Sequence, residues 1–536
     1  MKQSRFVQKF KNPILSGFYP DPSICRVGGD FYLVTSTFAY FPGIPVFHSN
    51  DLIRWKQIGN AIDRPGQLNY DGHQISQGLF APTIRENEGT FYILCTLIKN
   101  GGNFIITAKN PGGPWSDPIW LKGADGIDPS IFFDDDGKIW YCGTRAAPEG
   151  EAYSGNYEIY IYEIDAQLLS EGKNPLIGES IGIWRGALRD TIWPEGPHIY
   201  KINGSYFLLH AEGGTGFDHA VCIARAKDIK GSWEGKRSNP ILTHRHLGKT
   251  ADIINAGHAD LFDDTEGNWR MVCLASRPID GVCPLGRETF IVPIIWENGW
   301  PLVATKSGMI EEQISFKIEQ KAENNEWKVE NCCDHFNGKL PFHWLVLRMP
   351  VNEKDAAFSL TERKGVLRLF TRPETLREKK HCAFAGRRIR HFKWAFSALI
   401  DFKPKTTDES AGIVLLQSED YQYRFEKYLT SDNKLSLKIV LVCGDSEKII
   451  PAPLDFKLED NPLVLAAICD NMAINFFYGK DQYSLTGFGK SYDPRYLSTE
   501  YAGGFVGSLA GVFATGNGKN TNNYADILWV EYRGLE

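Results

Sequence analysis

Within the first three hundred residues one pattern recurs five times: a glycine turn, then a run rich in aromatic and β-branched residues. The copies are GGDFYLVTST (28–37), EGTFYILCTL (88–97), DGKIWYCGTR (136–145), NGSYFLLHAE (203–212) and EGNWRMVCLA (266–275). A repeat of this length settles the architecture before any local reading does. Each copy has the shape of the second arm of a β-hairpin, with glycine supplying the positive φ of a tight turn. The spacing of about 50 to 65 residues leaves room for one four-stranded sheet per copy.

A short motif precedes each turn glycine by eight or nine residues: Asp21-Pro-Ser-Ile, Ala81-Pro-Thr-Ile, Asp128-Pro-Ser-Ile, Glu195-Gly-Pro-His-Ile and His258-Ala-Asp-Leu. A weaker echo follows in three units, SNDLIRW (49–55), TAKNPGGPW (107–115) and ARAKDIKGSW (224–233). Five sheets repeated radially make a five-bladed β-propeller, in which the innermost strand of every blade lines a central channel. Equivalent positions then converge at one end of the axis. By that argument Asp21, Ala81, Asp128, Glu195 and His258 surround a single funnel, and three of the five are carboxylates.

After about residue 315 the repeat stops. The polar stretch 311–331 reads as a linker, and strand-like runs follow: FSALIDF (396–402), AGIVLLQ (411–417), YQYRFEKY (421–428), KLSLKIVLVC (434–443), LVLAAIC (463–469), MAINFFYG (472–479) and ILWVEYRG (527–534). Such spacing, with no amphipathic helix between, predicts a β-sandwich. The chain therefore divides into a propeller over 1–315 and a sandwich over 316–536, all-β throughout. The segment AGGFVGSLAGVFATGNG (502–518) reads either as a closely packed strand or as a loop reaching towards the propeller.

Composition narrows the function. With 59 Lys+Arg against 65 Asp+Glu, the net charge of −6 offers no footprint for nucleic acid and no polybasic membrane patch. The 11 cysteines include no C-x-x-C pair, and the adjacent Cys332 and Cys333 are poorly arranged for zinc, so reduced, mostly buried thiols in a cytoplasmic protein are expected. The N-terminus lacks the apolar run of a signal peptide, and the longest apolar stretch, Leu463 to Cys469, is too short to span a bilayer. Aromatic residues reach 13%, which suits flat, ring-shaped ligands such as sugars. The sequence leaves a homo-oligomer open.

The candidate site residues each have a plain alternative. An isolated Asp-Pro usually caps a turn, and proline is expected to hold the preceding residue extended. Asp21 and Asp128 share one quartet at one blade position, which favours function. Glu195, in WPEGPHIY beside Trp193, sits in the dehydrated setting that raises a carboxyl pKa as a general acid requires. Asp134, Asp135 and Asp136 read as a solvated hairpin turn. His258 reads as a core histidine or, on the axis, as a group that orients the site or touches a water-bound cation. Arg287, in CPLGRET, reads as a surface cation or as a partner for a carboxylate or sugar hydroxyl. Among the aromatics, Phe41 and Trp55 are expected in the core, and Phe38 and Phe80 at the channel mouth. No Walker loop, dinucleotide fingerprint, H-E-x-x-H or G-x-S-x-G is present.

Taken in order, YPDPSICR, GIDPSIF, WPEGPHIY, AEGGT and CPLGRET resemble the signature segments of glycoside hydrolase family 43, in its two-domain β-xylosidase and α-L-arabinofuranosidase type. The resemblance spans essentially the whole chain and implies a propeller followed by a concanavalin-like, jelly-roll-like sandwich. It implies an inverting exo-hydrolase with Asp21 as general base, Glu195 as general acid and Asp128 as the residue that tunes the acid. Phe38, Thr215, His258 and Arg287 match positions around the terminal sugar, and Phe505 an aromatic lent by the sandwich. Release of terminal β-D-xylosyl units from xylo-oligosaccharides is the first expectation. Removal of α-L-arabinofuranosyl groups, or both activities, is the alternative, and a non-catalytic sugar-binding propeller or an endo-acting groove is less favoured. No cofactor or metal is required, although a structural Ca2+ on the axis is left open. Two departures bear on sugar preference: Phe80 stands where such enzymes more often have Trp, and Trp193-Pro194 precedes the acid.

Overall fold

In the computed structural model, residues 6–187, 191–264, 266–318, 332–453, 456–458, 462–470 and 472–535 are described. Each repeat copy supplies the second strand of an antiparallel sheet. In the first blade Ser23–Val27 pairs with Asp30–Val34, and Gly43–Ser49 and Lys56–Ile62 complete the sheet. The innermost strands of the next four blades are Thr83–Asn87, Ile127–Phe133, Glu195–Ile202 and Ile254–Asp263. The hairpin turns between first and second strands use the predicted glycines, for example Gly89 at φ +73° and Gly137 at φ +84°. The fifth innermost strand packs beside the first, so the ring closes.

One buried carboxylate fastens that ring. Asp260 of the fifth blade accepts hydrogen bonds from the Ser23 hydroxyl (2.7 Å) and the Ile24 N–H (3.0 Å) of the first blade. It also accepts from both Arg85 terminal nitrogens of the second (2.8 and 2.9 Å) and from the Tyr200 hydroxyl of the fourth (2.6 Å). Burial alone would push its pKa up, but Arg85, His198 and these hydrogen bonds hold it far below the usual carboxylate range.

The second domain is a sandwich of two eight-stranded sheets. One runs Ser446–Pro451, Leu435–Cys443, Tyr421–Leu429, Ser410–Ser418, Leu509–Thr515, Phe384–Arg388 and Trp344–Leu347, and ends on Tyr40–Phe41 of the propeller. The other centres on Tyr524–Gly534, Trp394–Asp401 and Leu463–Asp470. Their facing side chains, among them Phe396, Ile413, Leu415, Phe425, Val512 and Ile527, are fully buried. Across the domain junction the buried Arg348 of the sandwich donates from Nε to the His73 carbonyl (2.8 Å) and pairs with Glu419, which accepts the Ile75 N–H (2.9 Å).

Two expectations are corrected. Within the stretch read as a linker, Gln313–Ile318 is a strand that pairs with Phe6–Lys11, because its backbone groups find partners in the N-terminal segment; 319–331 lie outside the described residues. In the acidic run only Asp135 and Asp136 are solvated. Asp134 is buried, accepting from Lys201 Nζ and the Tyr206 hydroxyl (both 2.6 Å), and so ties the third blade to the fourth. The glycine-rich segment does both things considered for it: Leu509–Thr515 is a central strand, and the residues before it form a loop that reaches the propeller. Among the described residues the α-helices are Ala166–Ser170 and Thr499–Ala502, and none is long and apolar enough to cross a membrane.

Candidate active site

The five equivalent positions, Asp21, Ala81, Asp128, Glu195 and His258, line one cavity of about 410 Å3. Phe38, Phe80, Thr215, Arg287 and Phe505 line it as well, so all nine residues singled out as catalytic or substrate-binding come together. The local backbone explains how they reach it. In the third, fourth and fifth blades the register of the innermost strand shifts between Ile127 and Ser130, between Glu195 and His198, and between Ile254 and Ala259. A bulge of this kind breaks the ladder and re-aims a side chain.

The expected extended backbone before proline is not found. Asp21 (φ +54°) and Asp128 (φ +55°) occupy the left-handed region, as do Phe38 (φ +51°), Trp193 (φ +49°) and His258 (φ +40°). Aspartate tolerates that region better than most residues, and here it swings the carboxyl out of the strand line into the funnel. Five such residues around one cavity are backbone strain concentrated at a site.

The three carboxyls occupy different electrostatic environments. Asp21 accepts from Arg287 Nη1 at 2.9 Å on one oxygen and from the Ser36 hydroxyl at 2.5 Å on the other. Its burial would raise the pKa, but Arg287, His258 and Ser36 together outweigh burial and hold it below the ordinary value. Among the described residues no cation contacts Glu195, and the more distant Arg287 lowers its pKa only as the smallest of its influences. Burial first, then the negative charges of Asp128 and Asp21, push its pKa well above the ordinary value. Asp128 lies between these extremes: burial and Asp21 raise it to about 6 against the pull of His258, and its Oδ2 accepts the Gly196 N–H at 3.1 Å. The two carboxyls are thus shifted in opposite directions, Asp21 towards the ionised form and Glu195 towards the protonated one.

Arg287 joins three parts of the molecule. Besides Asp21, it donates to the Thr215 hydroxyl (2.8 Å) and to the Phe505 carbonyl (3.2 Å). Phe505 stacks on Phe38 (6.0 Å, 18°), and Phe80 stands edge-on to both (5.4 and 5.9 Å), which builds an aromatic wall beside the guanidinium. Phe41 and Trp55 are buried, as expected for core residues. The Phe505 loop is fixed by the Ser76 hydroxyl, which accepts the Phe505 N–H at 3.0 Å, and by Gln417, which donates to the Val506 carbonyl at 2.7 Å.

Sequence reasoning missed Ser36, His219 and Tyr157. Ser36 is the penultimate residue of the first repeat copy, a signal that was available; nothing in the sequence marks the other two. His219 packs against the backbone of Gly257, where a β-carbon would come within 2.3 Å of its ring, and burial pushes its pKa down to about 3. Among the described residues, two groups of three metal-capable side chains converge, His210 with Glu212 and Cys222, and Cys332 with Asp334 and His343. Neither lines the cavity, and Cys332 accepts a hydrogen bond from Arg387.

With this geometry established, the relatives can be read. The profile of glycosyl hydrolases family 43 matches residues 10–301, and that of the β-xylosidase C-terminal concanavalin A-like domain matches residues 333–533. The chain belongs to glycosyl hydrolase family 43. This family 43 glycosidase is 44% identical over 524 residues to a protein of Butyrivibrio fibrisolvens named xylosidase/arabinosidase, covering 97% of this chain and 98% of that one. It is 35% identical to a non-reducing end α-L-arabinofuranosidase of Bacteroides ovatus, covering 98% of this chain and 95% of the relative. Among solved structures, a xylan β-1,4-xylosidase of Bacillus halodurans superposes with a TM-score of 0.88 at 29% identity, covering 98% of this chain and 99% of that one.

Proposed function

We propose that this glycosidase is an inverting, exo-acting enzyme that releases terminal β-D-xylosyl units from xylo-oligosaccharides. The observation that carries the reading is that Asp21 and Glu195 line one cavity in opposite electrostatic settings, Asp21 held below the usual carboxylate value by Arg287 and Glu195 pushed above it by burial. Glu195, protonated, gives its proton to the glycosidic oxygen as that bond breaks. Asp21, ionised, takes a proton from the water that attacks the opposite face of the ring. An inverting pair of this kind requires carboxyls roughly 6.5–9.5 Å apart, to leave room for the water. Asp128 keeps the proton on Glu195 through like-charge repulsion. Phe505, lent to the cavity lining by the sandwich and held there by Arg287 and Phe38, supports removal of single terminal sugars over cleavage within a chain.

A second substrate, terminal α-L-arabinofuranosyl groups, is supported by the relatives named for that activity and by the small pocket with its aromatic wall. Rates on the two nitrophenyl glycosides separate the readings: xylosidase activity at least equal to arabinofuranosidase activity supports the first, and the reverse order supports the second. Asp21→Asn and Glu195→Gln should each lower turnover on xylobiose by about two to four orders of magnitude with the fold intact. Near-normal turnover in either variant would remove that residue from its role.

A further inference from the structure

Asp21, Arg287 and the Phe38–Phe80–Phe505 wall form one part of the cavity lining. Trp193, two residues before Glu195 in the chain, and Tyr157 line the same cavity. We infer that Trp193, with Tyr157, forms the surface that receives the leaving group, and that Trp193 makes the enzyme select a flat ring there. This rests on the acid role proposed for Glu195: an acid must protonate the departing oxygen, so whatever departs sits beside it.

The local structure is built around that indole. The Trp193 backbone adopts φ +49°, a conformation costly for a bulky residue, and its N–H donates to the Gly155 carbonyl at 2.8 Å. The preceding carbonyl, of Ile192, accepts the Gly213 N–H at 3.0 Å. A β-carbon at Gly155 would stand 3.0 Å from the indole and one at Gly214 only 2.7 Å. Loops from the third and fourth blades thus approach the ring at positions where only glycine fits. After this construction Trp193 is still 36% exposed, among the most exposed large apolar residues of the propeller. A large aromatic held rigidly and left open to a cavity gains little from packing and offers a flat face to a ligand.

The test compares Trp193→Ala and Trp193→Phe with the wild-type chain on xylobiose and arabinobiose, and measures inhibition by free xylose and arabinose. If Trp193 receives the leaving group, a free monosaccharide in the terminal-sugar pocket should not depend on it. The expected result on the cleaved disaccharide is a fall in kcat/KM of about tenfold for the alanine variant, equivalent to about 1.4 kcal/mol, and a smaller fall for phenylalanine. The monosaccharide Ki should stay within about twofold. An unchanged kcat/KM in the alanine variant or a parallel rise in Ki would overturn the inference while leaving the proposed function standing. A wild-type chain inactive on both disaccharides and both nitrophenyl glycosides would overturn the two together.

Discussion

Removing the positive charge beside Asp21 provides a quantitative test of how the base is kept ionised. In Arg287→Met the Nη1 contact at 2.9 Å is lost, while the Ser36 hydroxyl stays on the other carboxylate oxygen. With the charge centres roughly 4 Å apart and an effective dielectric constant of about 20, the lost attraction is about 4 kcal/mol, or about 3 pK units. Water entering the vacated space recovers part of this, so a rise of about 1–3 units in the Asp21 pKa is expected. The sign follows from the role: a base works when ionised, so activity is present above its pKa and lost as pH falls through it. Raising that pKa moves the acid limb of kcat/KM upward by the same amount. The profile should be recorded on an aryl glycoside, whose leaving group leans least on the acid. KM will rise too, because Arg287 lines the pocket. An acid limb that stays in place while kcat/KM falls uniformly would refute the electrostatic reasoning and leave Arg287 as a sugar ligand only.

Asp128→Asn acts on the opposite limb. Losing its negative charge lowers the Glu195 pKa, so the alkaline limb should move to lower pH; a limb that stays fixed would remove Asp128 from the causes and leave burial and Asp21. Asp260→Asn strands the buried Arg85 charge and should cost about 3–5 kcal/mol of stability in urea unfolding. The pKa of Asp260 is depressed in the folded state, so its stabilisation is present above the unfolded pKa and lost as pH falls. The stability difference between wild type and variant should therefore shrink in acid, and a constant difference across pH would contradict this assignment.

Much of the architecture was legible because the propeller repeats its chemistry: a turn glycine fixes a hairpin, and an offset of eight or nine residues fixes which side chains face the axis. Asp21, Asp128 and Glu195 could be found because they occupy one position in three units. The backbone at those residues was not legible. Proline after Asp21 and Asp128 argues for extended structure, and only tertiary closure of the ring imposes the left-handed turn that delivers each carboxyl. Nor could sequence spacing reveal Tyr40–Phe41 as the edge of a sandwich sheet three hundred residues away, since that pairing depends on how the two domains dock. Asp134 was misread for a similar reason: its partners Lys201 and Tyr206 come from the next blade, and local composition carries no trace of them.

The stereochemistry of the first-formed product tests the account most directly. Proton NMR of xylobiose hydrolysis, recorded before mutarotation, should show α-xylose appearing first from the non-reducing residue, because water directed by Asp21 arrives on the face opposite the bond that Glu195 breaks. First appearance of the β-anomer would mean a covalent, retaining route and would contradict the division of labour between the two carboxyls.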